Sequence, residues 1–141
     1  MASAPVDSDT QTAQEPPSPY ERIGGRETLQ RIVDRFYDLM ESDPSYATLR
    51  AMHAADLAPM RRSLTGFLAA WCGGPRDWFD ENPGKCMMSA HSGFAIGPDT
   101  ADQWAEAMLR AVVDVAPADS EIAHLFAGRL GQIARAMAAR A

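Results

Sequence analysis

The sequence predicts an all-α protein, on three observations. Apolar residues recur at helical spacing in four long stretches. No run of four to eight residues alternates polar and apolar as a half-buried strand would, and there is neither a hairpin signal nor an internal repeat. Helix-stopping clusters, Asp43-Pro44, Gly73-Gly74-Pro75 and Pro117, fall between the periodic stretches. The chain of 141 residues suits one domain with a sizeable core.

Residues 1–19 are rich in Pro, Ser, Thr, Gln and Asp with almost no large apolar side chain, so a disordered tail is expected there, with the domain spanning 20–141. Gly24-Gly25 punctuate the chain ahead of a helix whose face is Leu29, Val33, Phe36 and Met40. Asp43-Pro44 ends it. Residues 45–56 read as a short helix plus a loop.

A second helix carries Leu57, Met60, Leu64, Phe67 or Leu68, and Trp71, and stops at Gly73-Gly74-Pro75. The next dozen residues, with Pro75, Asn82, Pro83 and Gly84, read as a loop. A short helix from about Lys85 to Ser92 follows. The third long helix is expected to start near Asp99 or Thr100, either of which could cap it, and to carry Trp104, Met108, Ala111 or Val112, and Val115. Asp119-Ser120 offers a cap for the last helix, with Ile122, Phe126, Ile133 and Met137 on one side. Gly128 and Gly131 interrupt it at a cost of about 1 kcal/mol each relative to alanine, unless they mark close helix crossings.

Composition excludes several classes. A net charge of −6 argues against non-specific nucleic-acid binding, which needs a basic face. No apolar run approaches the ~20 residues of a membrane helix, and no signal peptide is visible. Two cysteines, Cys72 and Cys86, form neither a disulfide framework nor a CxxC zinc site, which suits the cytoplasm. Hydrolase, nucleotide-binding and zinc-protease signatures are absent. The histidines, His53, His91 and His124, do not have the spacing of a helical metal pair, and His124 is expected to be exposed.

His91 is set among Met87, Met88, Phe94 and Ile96, and it belongs to a larger constellation. YERIGG at 20–25, RFY at 35–37, WCGGP at 71–75, AHSGFAI at 90–96, and Trp104 followed by Met108 fall in order along the chain. From Tyr20 to about Val115 it resembles the truncated haemoglobins, and most of all their group II. The resemblance implies a shortened globin, two antiparallel helix pairs crossed around haem. The resemblance implies haem b, and without a CxxCH attachment motif any such group would be held non-covalently.

The resemblance implies that His91 binds the iron on the proximal side. Tyr37 and Trp104 fall at the family's distal positions, where a phenol O–H and an indole N–H can donate to bound dioxygen. Such charge-assisted bonds contribute roughly 1.5–3 kcal/mol each. His53 is a third distal candidate. Met60 falls where many globins carry a polar gate and cannot donate. Leu64, Phe67, Leu68, Met88, Phe94, Ile96, Met108 and Val112 would form the apolar walls. The sequence departs from its group just before His91, where Met87, Met88, Ser89 and Ala90 replace the usual basic partners of the haem propionates. Lys85, Arg61 and Arg62 are the candidates to substitute.

The expected function is reversible binding of dioxygen and other diatomic ligands, with oxygen transport as its simplest use. Nitric oxide dioxygenase or peroxidase turnover is the enzymatic variant, and the former needs a separate reductase. The alternative is a haem-based gas or redox sensor or interaction module. The least favoured class is a helical protein with no cofactor. Either a monomer or a homodimer is compatible with the sequence.

Overall fold

The computed structural model describes residues 16–84 and 96–140. Most of the expected tail and the expected helix from Lys85 to Ser92 lie outside them. Every element among the described residues is helical, with no strand. In chain order they are α1 (Pro19–Ile23), α2 (Gly25–Ser42), a 3-10 turn (Pro44–Tyr46), α3 (Ala47–Ala51), α4 (Ala58–Trp71), α5 (Asp77–Glu81), α6 (Pro98–Val115) and α7 (Ser120–Arg140).

The short α1 was not legible as a helix, being too brief to show a period. It forms because Ser18 and Glu21 make a capping box: Ser18 Oγ accepts from the Glu21 amide, and Glu21 Oε1 accepts from the Ser18 amide. Gly24 then takes φ 115°, a left-handed value, and a side chain there would run into Thr28.

α2 is the hub, packing against both α4 and α6, while α6 and α7 form an antiparallel pair. Its inward face, Leu29, Ile32, Val33 and Phe36, is wholly shielded from solvent. Each such side chain contributes roughly 1.5–3 kcal/mol by burial. α4 ends as expected: Gly74 N–H bonds the Ala69 carbonyl at 2.8 Å and Gly73 N–H that of Ala70 at 3.1 Å, the double bond of a Schellman stop.

Two readings need correction, and one open alternative is decided. The loop after Pro75 contains α5, in which Trp78 is buried, donates to Ser63 Oγ at 3.1 Å and packs edge-on against Phe67. Tertiary aromatic packing, not period, makes this turn helical. The third long helix starts at Pro98, with Gly97 as its N-cap and no side-chain cap bond. Proline's fixed φ suits the first helical position, so Asp99 and Thr100 lie inside the first turn. Finally, Gly131 does mark a close crossing, since a Cβ there would sit 3.3 Å from that of Ala105, but Gly128 faces open space. The cap of the last helix is as expected, with Asp119 Oδ1 accepting from Ile122 N–H at 3.1 Å. His124 is exposed.

Candidate haem site

Phe36, on α2, carries the geometry of the site. Its ring meets Tyr37 edge-on at 5.0 Å and Trp104, from α6, at 5.2 Å. One fully buried phenylalanine therefore sets the positions of the phenol and the indole. Tyr37 is 2% exposed, and burial pushes its phenol up to about 12, an effect opposed by the nearby Arg61 cation. Its ring also meets His53 edge-on at 5.9 Å. Trp104 is partly buried against the same core. Neither the Tyr37 hydroxyl nor the Trp104 indole N–H has a hydrogen-bond partner among the described residues.

His53 follows α3, and three contacts hold that helix and its exit. His53 Nδ1 lies 2.9 Å from the Leu49 carbonyl, so Nδ1 carries the proton and donates, and in the neutral ring Nε2 carries the lone pair. Leu49 N–H, an orphan donor of the first turn, is taken by Gln103 Oε1 at 3.1 Å. Arg50 donates to the carbonyls of His53, Ala54 and Ala55 at 3.4, 3.0 and 3.0 Å.

The expected wall residues divide in two. Phe67, Leu68, Met108 and Val112 are packed as buried core. Met60 is 38% exposed, and Leu64 and Ile96 are partly buried. His91, Lys85, Met88 and Phe94 lie outside the described residues. Of the other propionate candidates, Arg62 is exposed, and Arg61 is committed elsewhere. Arg61 pairs with Asp34, Asp38 and Glu41 of α2 at 3.1, 2.9 and 3.4 Å. Arg61 is therefore set aside as a propionate partner, because a cation already shared by three carboxylates gains little from a fourth.

A second polar cluster joins the 3-10 turn to α6. Arg110 donates to Asp43 at 2.7 Å and to the Tyr46 hydroxyl at 3.0 Å, and Tyr46 donates to Glu106 at 3.0 Å. The Arg110 hydrogen bond, with further bonds from Ser45, holds the Asp43 carboxyl down to about 2. Sequence reasoning missed Gln103, Arg50, Arg110 and Arg61's embrace of α2. These are long-range polar pairs, and neither period nor motif spacing signals them.

The described residues fit a haem. Partly open apolar side chains at Leu64, Ile96 and Trp104, with exposed Met60, would be covered by a planar apolar group. The two donors without described partners suit a small polar ligand beside that group. Fold and site together define an all-helical protein that holds a phenol and an indole about one phenylalanine.

Comparison with known proteins places that architecture. The bacterial-like globin family model matches residues 18–138. The group 2 truncated hemoglobin YjbI of Bacillus subtilis is 33% identical over 120 residues, 85% of this chain and 87% of that protein. The group II 2-on-2 hemoglobin of Agrobacterium tumefaciens superposes with a TM-score of 0.82 at 27% identity, covering 89% of this chain and 96% of that one. The truncated oxygen-avid haemoglobin of Bacillus subtilis superposes with a TM-score of 0.75 at 32% identity, covering 86% and 98%. The chain belongs to the bacterial-like globins, as a haem-binding truncated haemoglobin of group II.

Proposed function

We propose that this globin holds haem b non-covalently, with His91 as the proximal iron ligand, and reversibly binds dioxygen and other diatomic ligands. Haem supplies the iron at which such a ligand binds. Tyr37 and Trp104 donate hydrogen bonds to the ligand, and His53 stands beside Tyr37 as the third distal group. Met60, Leu64, Met88, Phe94 and Ile96 form the apolar contacts with the porphyrin, whereas Phe67, Leu68, Met108 and Val112 belong to the buried core. Lys85 and Arg62 are the remaining basic candidates for a propionate.

One observation carries this reading. Tyr37 and Trp104 come from different helices, pack on the same Phe36, and have no hydrogen-bond partner among the described residues. Membership of a gas-binding family supports the same conclusion.

Dioxygen transport or storage is the simplest use. Nitric oxide dioxygenation would add a reductase to restore ferrous iron. The cytoplasm suits the buried free Cys72, whose thiol burial pushes up to about 12 and so keeps unreactive. No helix among the described residues is long and apolar enough to cross a membrane.

The deciding experiment is the absorption spectrum of the haem-reconstituted protein and of His91→Ala. An intense Soret band that shifts on reduction and on carbon monoxide addition is expected. In His91→Ala the ferrous spectrum should lose the signature of histidine ligation. A spectrum unchanged by that substitution would remove His91 from the iron.

A further inference from the structure

Arg61 is the fourth residue of α4, directly after Met60. Its Nη1 donates to both the backbone carbonyl and Oδ1 of Asp34 at 3.1 Å. Its Nη2 donates to Asp38 Oδ1 at 2.9 Å and Glu41 Oε1 at 3.4 Å. These acceptors lie three before, one after and four after Tyr37 on α2, so the guanidinium is anchored along the helix on both sides of it. The guanidinium carbon sits 5.7 Å from the centroid of the Tyr37 ring.

The carboxylates fix the cation, and the cation covers the ring. Glu41 extends the array, since its other oxygen lies 3.7 Å from Arg50, which grips the backbone of residues 53–55 beside the same ring. An exposed ion pair contributes little to stability. Four charge-assisted bonds from a fork that is 24% exposed can nevertheless hold a geometry.

We propose that Arg61 is a positioning residue for Tyr37: clamped by Asp34, Asp38 and Glu41, its guanidinium holds the phenol ring in one orientation and so presets the aim of the hydroxyl. This rests on the reading of Tyr37 as a donor to the bound ligand. A lysine cannot replace it, because a single ammonium cannot span Asp34 on one side and Asp38 with Glu41 on the other.

The test uses the haem-loaded full chain with Arg61→Met and Arg61→Lys, each alone and combined with Tyr37→Phe. Arg61→Met should speed dioxygen dissociation by about 2- to 5-fold, the factor corresponding to a partly exposed cation–π contact. It should shift the C–O stretching frequency of the carbon monoxide form toward that of Tyr37→Phe. In the Tyr37→Phe background both effects should vanish. Arg61→Lys should recover thermal stability but not the dissociation rate.

Equal effects with and without the Tyr37 hydroxyl would overturn the proposal, leaving Arg61 as scaffold. Full restoration of the rate by lysine would also overturn it. Ring-edge NMR signals of 13C-labelled Tyr37 decide the matter independently of the donor reading. Slow ring flips in the parent chain that become fast in Arg61→Met support positioning, and unchanged flips refute it. If Tyr37→Phe by itself leaves dissociation unchanged, the donor reading fails, and the ring signals still judge Arg61.

Discussion

Tyr37 and His53 meet edge to face, ring centroids 5.9 Å apart and planes 77° apart, although sixteen positions and a helix separate them in sequence. The contact needs only the rings, so Tyr37→Phe deletes the hydroxyl and leaves the packing. Loss of one charge-assisted hydrogen bond, roughly 1.5–3 kcal/mol, should speed dioxygen dissociation by about 10- to 100-fold. Stopped-flow displacement of dioxygen by carbon monoxide measures it. An unchanged rate would remove Tyr37 from the ligand's partners.

The same hydroxyl should shape stability in alkali. The Tyr37 phenol is raised from 10.0 to about 12, chiefly by burial. A group raised on folding stabilises the fold fully below its unfolded value and ceases to do so as pH climbs through the folded one. Denaturation curves should therefore show stability falling between about pH 10 and 12, by on the order of 2 kcal/mol from this group. Tyr37→Phe should flatten that part of the profile, and an equal slope in both proteins would contradict the assignment.

On the acid side the group to watch is Asp43, lowered from 3.8 to about 2 by its bond from Arg110 and those from Ser45. A depressed carboxyl stabilises the fold above its unfolded value, and the contribution disappears as pH falls through the folded one. The window is about pH 4 down to 2. Asp43→Asn should be less stable than the parent at neutral pH, with the gap closing across that window. Its acid-unfolding midpoint should move to higher pH, as followed by far-ultraviolet circular dichroism.

Gly74→Ala probes a contact between two distant motifs. Tyr20 N–H donates to the Cys72 carbonyl at 2.9 Å, and a Cβ on Gly74 would overlap the Tyr20 ring. The substitution should cost about 1–3 kcal/mol, the usual range for overpacking. Adding Tyr20→Ala should make the double variant less unstable than the sum of the two singles. Additive costs in urea titration would show that the two residues do not meet.

These sites also mark how far the sequence could be read. The long helices were legible because their apolar faces repeat over many turns, as Leu29, Val33, Phe36 and Met40 do in α2. Short α1 and α5 were not, since five residues hold little more than one turn and form here through a capping box and through Trp78's packing. Tyr37 and Trp104 were found as motif positions, and the structure adds that Phe36 lies between them. Arg61 was read as a candidate propionate partner because nothing in RRS at 61–63 signals the carboxylates of a helix twenty or more positions earlier.

Gln103 holds the Leu49 amide at the head of α3, and its immediate neighbour is Trp104. A rotation or slip of α6 that re-aimed the indole would also strip α3 of that acceptor and disturb the stretch leading to His53. Indole and imidazole are thus geared together through one side-chain amide. Tuning of this pocket is therefore confined to exchanging side chains in place, because neither helix can be shifted alone.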